Sequence, residues 1–406
     1  MGLAEELRDW LIEAGFAGLD EGALVRGLCE RMLTAGLPLQ RGGAGYDVLH
    51  PEVESRGHAW HRDGIKTDPF VSRHDEEATN ETQWLNSPFY RLWQSGANTM
   101  RRRLAHDYPN GEFALLDRMK AEGATDYMAC IARAGAGLGQ ASDIYFSWMS
   151  DAPEGFRDAD IALFQAIRPA FAMALNTAIM RQTGRTLLQT YLGAGITARV
   201  LAGNVVRGRA ESIRAVIWFS DLTGFTRIAD TVQPDAALEM LNDYAGLQVR
   251  CIEETGGEVL KFIGDGILAI YRATDDGEAC AGALRAARMV QKQVARLADT
   301  RVAGGLPVAG LHVGLHLGEV LYGNFGSTTR LDFTILGAAV NEASRMSELC
   351  GGIGQDVVVS QAVAAVAPDG LVRLGRYALR GVARPQELFT LDRDFQGHPS
   401  GAPGGP

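Results

Sequence analysis

Two carboxylates stand where runs of apolar residues stop. In WFSDLTGFTRIAD, residues 218–230, the strand-like run Ala215-Val216-Ile217-Trp218-Phe219 leads straight to Asp221. In GGEVLKFIGDGILAIY, residues 256–271, Asp265 sits between Gly264 and Gly266 with an apolar run on each side, the pattern of a hairpin tip. A carboxylate at the edge of a core is costly unless a cation meets it. If the strand and the hairpin are neighbours, Asp221 and Asp265 converge at one end of a sheet. Two converging carboxylates with open coordination positions suit Mg²⁺, which takes oxygen ligands and leaves room for phosphate and water. The intervening Thr223-Gly224-Phe225-Thr226 offers Thr223 as a helix cap, Gly224 for close backbone approach, and N–H groups on which a polyphosphate can rest. A helix-capping Asp after a strand is the plainer reading of this loop, and Asp265 is what weighs against it. A third segment, RLDFTILGAAVNEASRMSEL, places Asn341 and Arg345 four apart on one helical face.

These residues need elements to hold them. The pattern from residue 214 predicts a strand over 214–220, helices within 223–229 and 235–254, and a hairpin over 257–271. A helix over 277–298, strands over 308–323 and 332–336, a helix over 338–349, and short strands near 356–359 and 386–391 follow. This is the split, ferredoxin-like order, an antiparallel sheet covered on one face by helices. Ahead of it, Leu3, Leu7, Trp10, Leu11 and Ala14 share one face of an acidic amphipathic helix, and residues 40–88 read as long polar loops. Asp126–Arg133 and Asp143–Met149 read as strands. Pro153-Glu154-Gly155 makes a turn, and Asp158 or Asp160 caps a long helix. The texture changes near 180–213, where Leu187, Leu188, Tyr191, Leu192, Ile196, Val200 and Leu201 keep a helical rhythm broken by Gly193 and Gly195. The stretch is a connector, open to pairing with its copy or to packing on its own chain. The domain expectation is α+β throughout: a first domain at 1–182, a helical connector at 183–213, a second domain at 214–393, and a disordered Pro/Gly tail at 394–406.

Length and composition agree with two or three soluble domains: 406 residues exceed one ordinary core, and 46% hydrophobic with 22% charged residues argues against disorder along most of the chain. A formal net charge of −10 argues against a nucleic-acid binder, so a small anionic substrate needs a metal or local cations. The apolar stretch 161–180 contains Arg168 and Pro169 and reads as a core helix, so neither a membrane span nor a secretory leader is expected. Cys29, Cys130, Cys251, Cys280 and Cys350 form no C-x-x-C pair, which fits reduced, structural thiols and a cytoplasmic location.

In order and spacing, FSDLTGFT, LNDY, GGEVLKFIGDGILAIY and VGLHLGEVLYGNFGSTTRLDFTILGAAVNEASR make residues 214–350 resemble the catalytic domain of the class III nucleotidyl cyclases. The resemblance implies that Asp221 and Asp265, with the main-chain carbonyl of Leu222, hold two Mg²⁺ per active site, Mn²⁺ being the alternative ion. One ion activates the ribose 3′-hydroxyl for attack on the α-phosphate and the other holds the β- and γ-phosphates. It implies that Asn341 orients the ribose, that Arg345 meets charge building in the transition state, and that Lys261 and Asp332 read adenine, so the substrate is ATP. Thr223, Gly224, Phe225 and Thr226 then line the phosphates. It further implies a head-to-tail homodimer in which one copy supplies the metal carboxylates and the other supplies Lys261, Asp332, Asn341 and Arg345. Ala338 departs from the family, which often has an acidic residue there.

Scraps of the first 180 residues, LHPE, SPFYRL, GATDY and EGFRDADIALF, resemble the front regions of soluble bacterial cyclases and imply a GAF-like domain able to take a small ligand. His50, His58, His61 and His74 match no metal spacing and read as loop histidines; Trp60, Trp84 and Trp93 read as packing residues. Guanylate cyclase activity and a catalytically silent signalling scaffold are the alternatives. A diguanylate cyclase is disfavoured because FIGDG stands where that family has GG[DE]EF.

Overall fold

The computed structural model describes residues 2–64, 70–133, 143–392 and 394. The chain divides into two compact units, residues 1–188 and 189–406.

In the first unit, helices α1 (Leu3–Ala17) and α2 (Glu21–Thr34) precede strands β1 (Arg41–Asp47), β2 (Val53–His61) and β3 (Phe70–Arg73). Then come α3 (Glu77–Leu85), α4 (Pro88–Ser95), β4 (Thr99–Arg102), α5 (Ala114–Ala121), β5 (Asp126–Ala132), β6 (Ile144–Ser150) and the long α6 (Asp158–Leu192). The strands form one antiparallel sheet in the order β3-β2-β1-β6-β5-β4. One face packs Phe146, Trp148 and Met128 against Leu7, Leu11, Leu24, Leu28, Phe164 and Phe171 of α1, α2 and α6. The other packs Tyr127, Ile131, Tyr145 and Met149 against Leu92, Leu116 and Met119 of α4 and α5.

Residues 40–88 are therefore not long polar loops, because they hold β1, β2 and β3. The run RGGAGYD carries few apolar side chains since α2 lies directly on it: a Cβ on Gly42 would come within 2.4 Å of Cys29 Sγ. His58 and His61 accordingly sit in β2 and not in loops. His50 caps a turn instead, its Nδ1 accepting from the backbone N–H of Glu52 and Val53 at 3.1 and 3.2 Å. The turn at Gly155 is tied down by Asp126, which is buried, pairs with Arg101 at 2.6 Å and accepts from Phe156 N–H at 2.9 Å.

The second unit contains α7 (Ala194–Leu201), β7 (Ala210–Thr223), α8 (Phe225–Ala229), α9 (Pro234–Glu254), β8 (Glu258–Ile263), β9 (Gly266–Arg272) and α10 (Asp276–Ala303). It continues with β10 (Gly310–Gly326), β11 (Leu331–Leu336), α11 (Ala338–Gly352), β12 (Val357–Ser360), α12 (Gln361–Val366), β13 (Leu371–Tyr377) and β14 (Gln386–Leu391). Its eight-stranded sheet runs β13-β14-β12-β10-β7-β9-β8, with β11 paired to β10. All pairs are antiparallel except β10 with β12.

Period-2 alternation in β7 decides its two faces. Val216 and Trp218 join Met240, Tyr244, Ala283 and Ala287 of α9 and α10. Ala215 and Ile217 join Ile196 of α7 and Ala339 and Ala343 of α11 on the opposite side. Helices thus cover both faces, where the sequence pattern led to the expectation of one. The reason is glycine: a Cβ on Gly314 would lie 2.2 Å from Ala343 O, and one on Gly318 would lie 2.6 Å from Ala339 Cβ, so only bare strand lets α11 settle there. The five cysteines are buried and unpaired. Among the described residues no helix is long and apolar enough to cross a membrane. The tail, apart from Asp394, lies outside the described residues.

Candidate active site

The apolar run of β7 ends on a polar anchor before it reaches the carboxylate. Ser220 is buried and donates from Oγ to Gln248 Oε1 of α9 at 2.6 Å, which holds the strand end in place. Ser220 pairs in register with Ile267 of β9. A Cβ on the preceding Gly266 would come within 2.0 Å of Ser220 O, so glycine is required for the hairpin to press its tip against β7. That close approach carries Asp265 alongside Asp221. The electrostatic signature is a carboxyl on Asp221 pushed up to about 6, first by burial, then by the Asp265 charge and a hydrogen bond with it, and last by Glu348.

Two carboxylates that repel each other in one recess are relieved by a shared cation, and the two side chains that meet here both offer oxygen. Among the described residues no cluster of three or more His, Cys, Asp or Glu side chains forms a cage. An ion held here would take two carboxylates and complete its shell from main chain, water and substrate, the habit of Mg²⁺. Leu222, the main-chain donor implied by the resemblance, has its side chain buried and so fixes its backbone in β7, paired to Leu311.

The loop that follows differs from expectation in one respect. Thr223 does not cap α8; it is the last residue of β7, and its Oγ1 meets His312 Nε2 at 3.3 Å. The N-cap is Gly224, with φ of 72° in the left-handed region and no side-chain cap. Phe225 packs partly into the core and Thr226 is exposed.

Lys261 of β8 and Asp332 of β11 meet as an ion pair, Nζ to Oδ2, although 71 residues separate them. Asn341 and Arg345 stand on the outer flank of α11, Asn341 exposed and Arg345 paired with Glu348 one turn on. No hydrogen bond or ion pair among the described residues joins the Asp221–Asp265, Lys261–Asp332 and Arg345–Glu348 groups to one another. The strands that carry or pair with the second group also expose large apolar side chains: Phe262 is 61% and Phe325 60% exposed, with Leu321, Leu331 and Leu336 also open to solvent.

Sequence reasoning missed two residues here. Glu348 has the i,i+3 spacing to Arg345 as its only signal, and His312 lies opposite Asp221 in the β7–β10 register, a placement invisible before the strands are paired.

Residues 209–392 match the family model described as "Adenylate and Guanylate cyclase catalytic domain". An adenylate cyclase of Anabaena cylindrica is 35% identical over 165 residues, 39% of this chain and 32% of the relative. Adenylate cyclase 1 of Rhizobium meliloti is 30% identical over 152 residues, 37% of this chain and 23% of the relative. The chain thus spans a third or less of the length of these curated relatives. The solved adenylyl cyclase CyaB from P. aeruginosa is 23% identical, with a TM-score of 0.42 over 45% of this chain and 95% of that one. The segment from 209 to 392 is therefore a catalytic domain of the adenylate and guanylate cyclase family.

Proposed function

We propose that this protein is an adenylate cyclase, forming 3′,5′-cyclic AMP and pyrophosphate from ATP in a head-to-tail homodimer. The observation that carries the reading is the Lys261–Asp332 pair: a donor and an acceptor side by side, complementary to an adenine ring nitrogen and its exocyclic amine. Lys261 donates to the ring nitrogen and Asp332 accepts from the amine once the base displaces their mutual contact. Asn341 orients the ribose. Arg345, released from a solvent-screened ion pair with exposed Glu348, meets the charge growing on the α-phosphoryl oxygens.

Asp221, Asp265 and the Leu222 carbonyl hold Mg²⁺, or Mn²⁺. When bound, the metal lowers the pKa of the 3′-hydroxyl and offsets phosphate charge. The 3′ oxygen bonds to the α-phosphorus, the bond from that phosphorus to the bridging oxygen of pyrophosphate breaks, and the hydroxyl proton leaves to solvent.

The partner copy is supported by the exposed apolar side chains on β8, β10 and β11, the strands that carry or pair with Lys261 and Asp332, which a second copy would cover. The front unit, a six-stranded sheet between two helical layers, acts in this reading as a GAF-like regulatory domain at 1–182, joined by the 183–213 connector to the catalytic domain at 214–393. The test is product formation by the full chain with Mg²⁺ or Mn²⁺, offered ATP and GTP separately, beside Asp265→Ala. Cyclic AMP from ATP, lost in the variant, is the expected result; cyclic GMP as the main product contradicts the base assignment, and no product from either nucleotide contradicts the activity.

A further inference from the structure

The first unit holds a cleft of about 380 Å³, within the range of roughly 300–1,000 Å³ usual for small-molecule sites. Its floor is one row of the sheet: His61 pairs with Arg41 across β2 and β1, and Arg41 with Met149 across β1 and β6. Its wall is α5, which contributes Arg118, Met119 and Glu122.

Arg41 differs from those arginines of this unit that a carboxylate holds. Arg62 pairs with Asp151, Arg101 with Asp126, Arg102 with Glu112, and Arg157 with Asp160. Among the described residues no carboxylate lies within ion-pairing distance of the half-buried Arg41. Burial disfavours its charge and the neighbouring Arg118 disfavours it further, with Glu122 and Tyr127 opposing them. The His61 imidazole is held below its ordinary pKa by burial and by Arg41. A guanidinium kept half out of water beside a second one is a poor arrangement for an empty cleft and a good one for clamping an anion, since each fork presents parallel N–H donors. Met119 and Met149 add apolar, adaptable wall beside the cations, which a bare inorganic ion would leave unused.

We propose that this cleft binds a small organic anion, its carboxylate or phosphate gripped by Arg41 and Arg118 and its apolar body lying against Met119 and Met149. The site is separate from the nucleotide chemistry above and stands whether or not that reading holds.

The test is calorimetric titration of the full chain with benzoate, phenyl phosphate and inorganic phosphate. Benzoate and phenyl phosphate share a body and differ in head group, so the tighter of the two assigns carboxylate or phosphate. The proposal predicts that at least one of them binds more tightly than inorganic phosphate, that Arg41→Gln weakens it about ten-fold or more, and that Arg345→Ala in the other unit leaves it unchanged. Should Arg41→Gln not fold, the exposed Arg118→Gln takes its place with the same expectation. Failure of both organic probes to bind, affinity unchanged in the arginine variant, or inorganic phosphate binding as tightly as the better of the two overturns the proposal.

Discussion

Replacing Asp221 by Asn keeps the shape of the side chain and removes its charge, which reads what an ionised Asp221, partly desolvated and beside Asp265, costs the fold. The Asp221 carboxyl moves from an ordinary 3.8 to about 6. At about 1.4 kcal/mol per pH unit this is roughly 3 kcal/mol, and because Asp221 is exposed, solvent screening reduces it to about 1 kcal/mol. The folded pKa is raised, so the stabilisation is fully present below about pH 4 and is lost as pH rises through about 6. Without metal, Asp221→Asn is therefore expected to match the parent near pH 4 and to exceed it by about 1 kcal/mol near pH 8, or about 3 °C in Tm for a domain of this size. Mg²⁺ is expected to stabilise the parent by mass action and to leave the variant largely unmoved. Urea unfolding in EDTA at the two pH values, repeated with Mg²⁺, reads all of this. A variant less stable than the parent at alkaline pH, or a gap independent of pH, would refute the claim that ionising Asp221 costs the metal-free protein stability.

Exchanging Lys261→Glu together with Asp332→Cys is expected to move nucleotide preference from ATP toward GTP, read as the ratio of kcat/KM for the two; an unchanged ratio places base recognition elsewhere. Gly266→Ala puts a methyl group 2.0 Å from Ser220 O and is expected to cost about 1–3 kcal/mol by denaturant melts while abolishing turnover, because the hairpin tip must lift away from β7. Asp126→Ala strands Arg101 and frees Phe156 N–H in the first unit, with an expected loss of about 3–5 kcal/mol by urea titration of that unit's transition.

What was legible in the sequence followed from local pattern. Apolar runs ending at Asp221 and flanking Asp265 announced both strands and the hairpin tip, and the four-residue step from Asn341 to Arg345 announced a helix face. Other features depend on what packs against the chain. RGGAGYD lacks the apolar alternation of a strand because α2 covers Gly42 and leaves no room for side chains. Gly314 and Gly318 look like interruptions and are in fact the seat of α11. The meeting of Lys261 with Asp332 needs the β10–β11 register, and the cleft at Arg41 needs three strands aligned before its unpaired charge can be noticed.

The proposed active site is divided between two copies of the chain, and complementation tests that division directly. Asp265→Ala disables the metal half and Arg345→Ala the recognition half, so each alone is expected to be inactive. Co-refolded in equal amounts with random pairing, half the dimers are mixed and each carries one intact site of two, which predicts recovery of about a quarter of parental turnover. A mixture no more active than its two components would contradict the shared site.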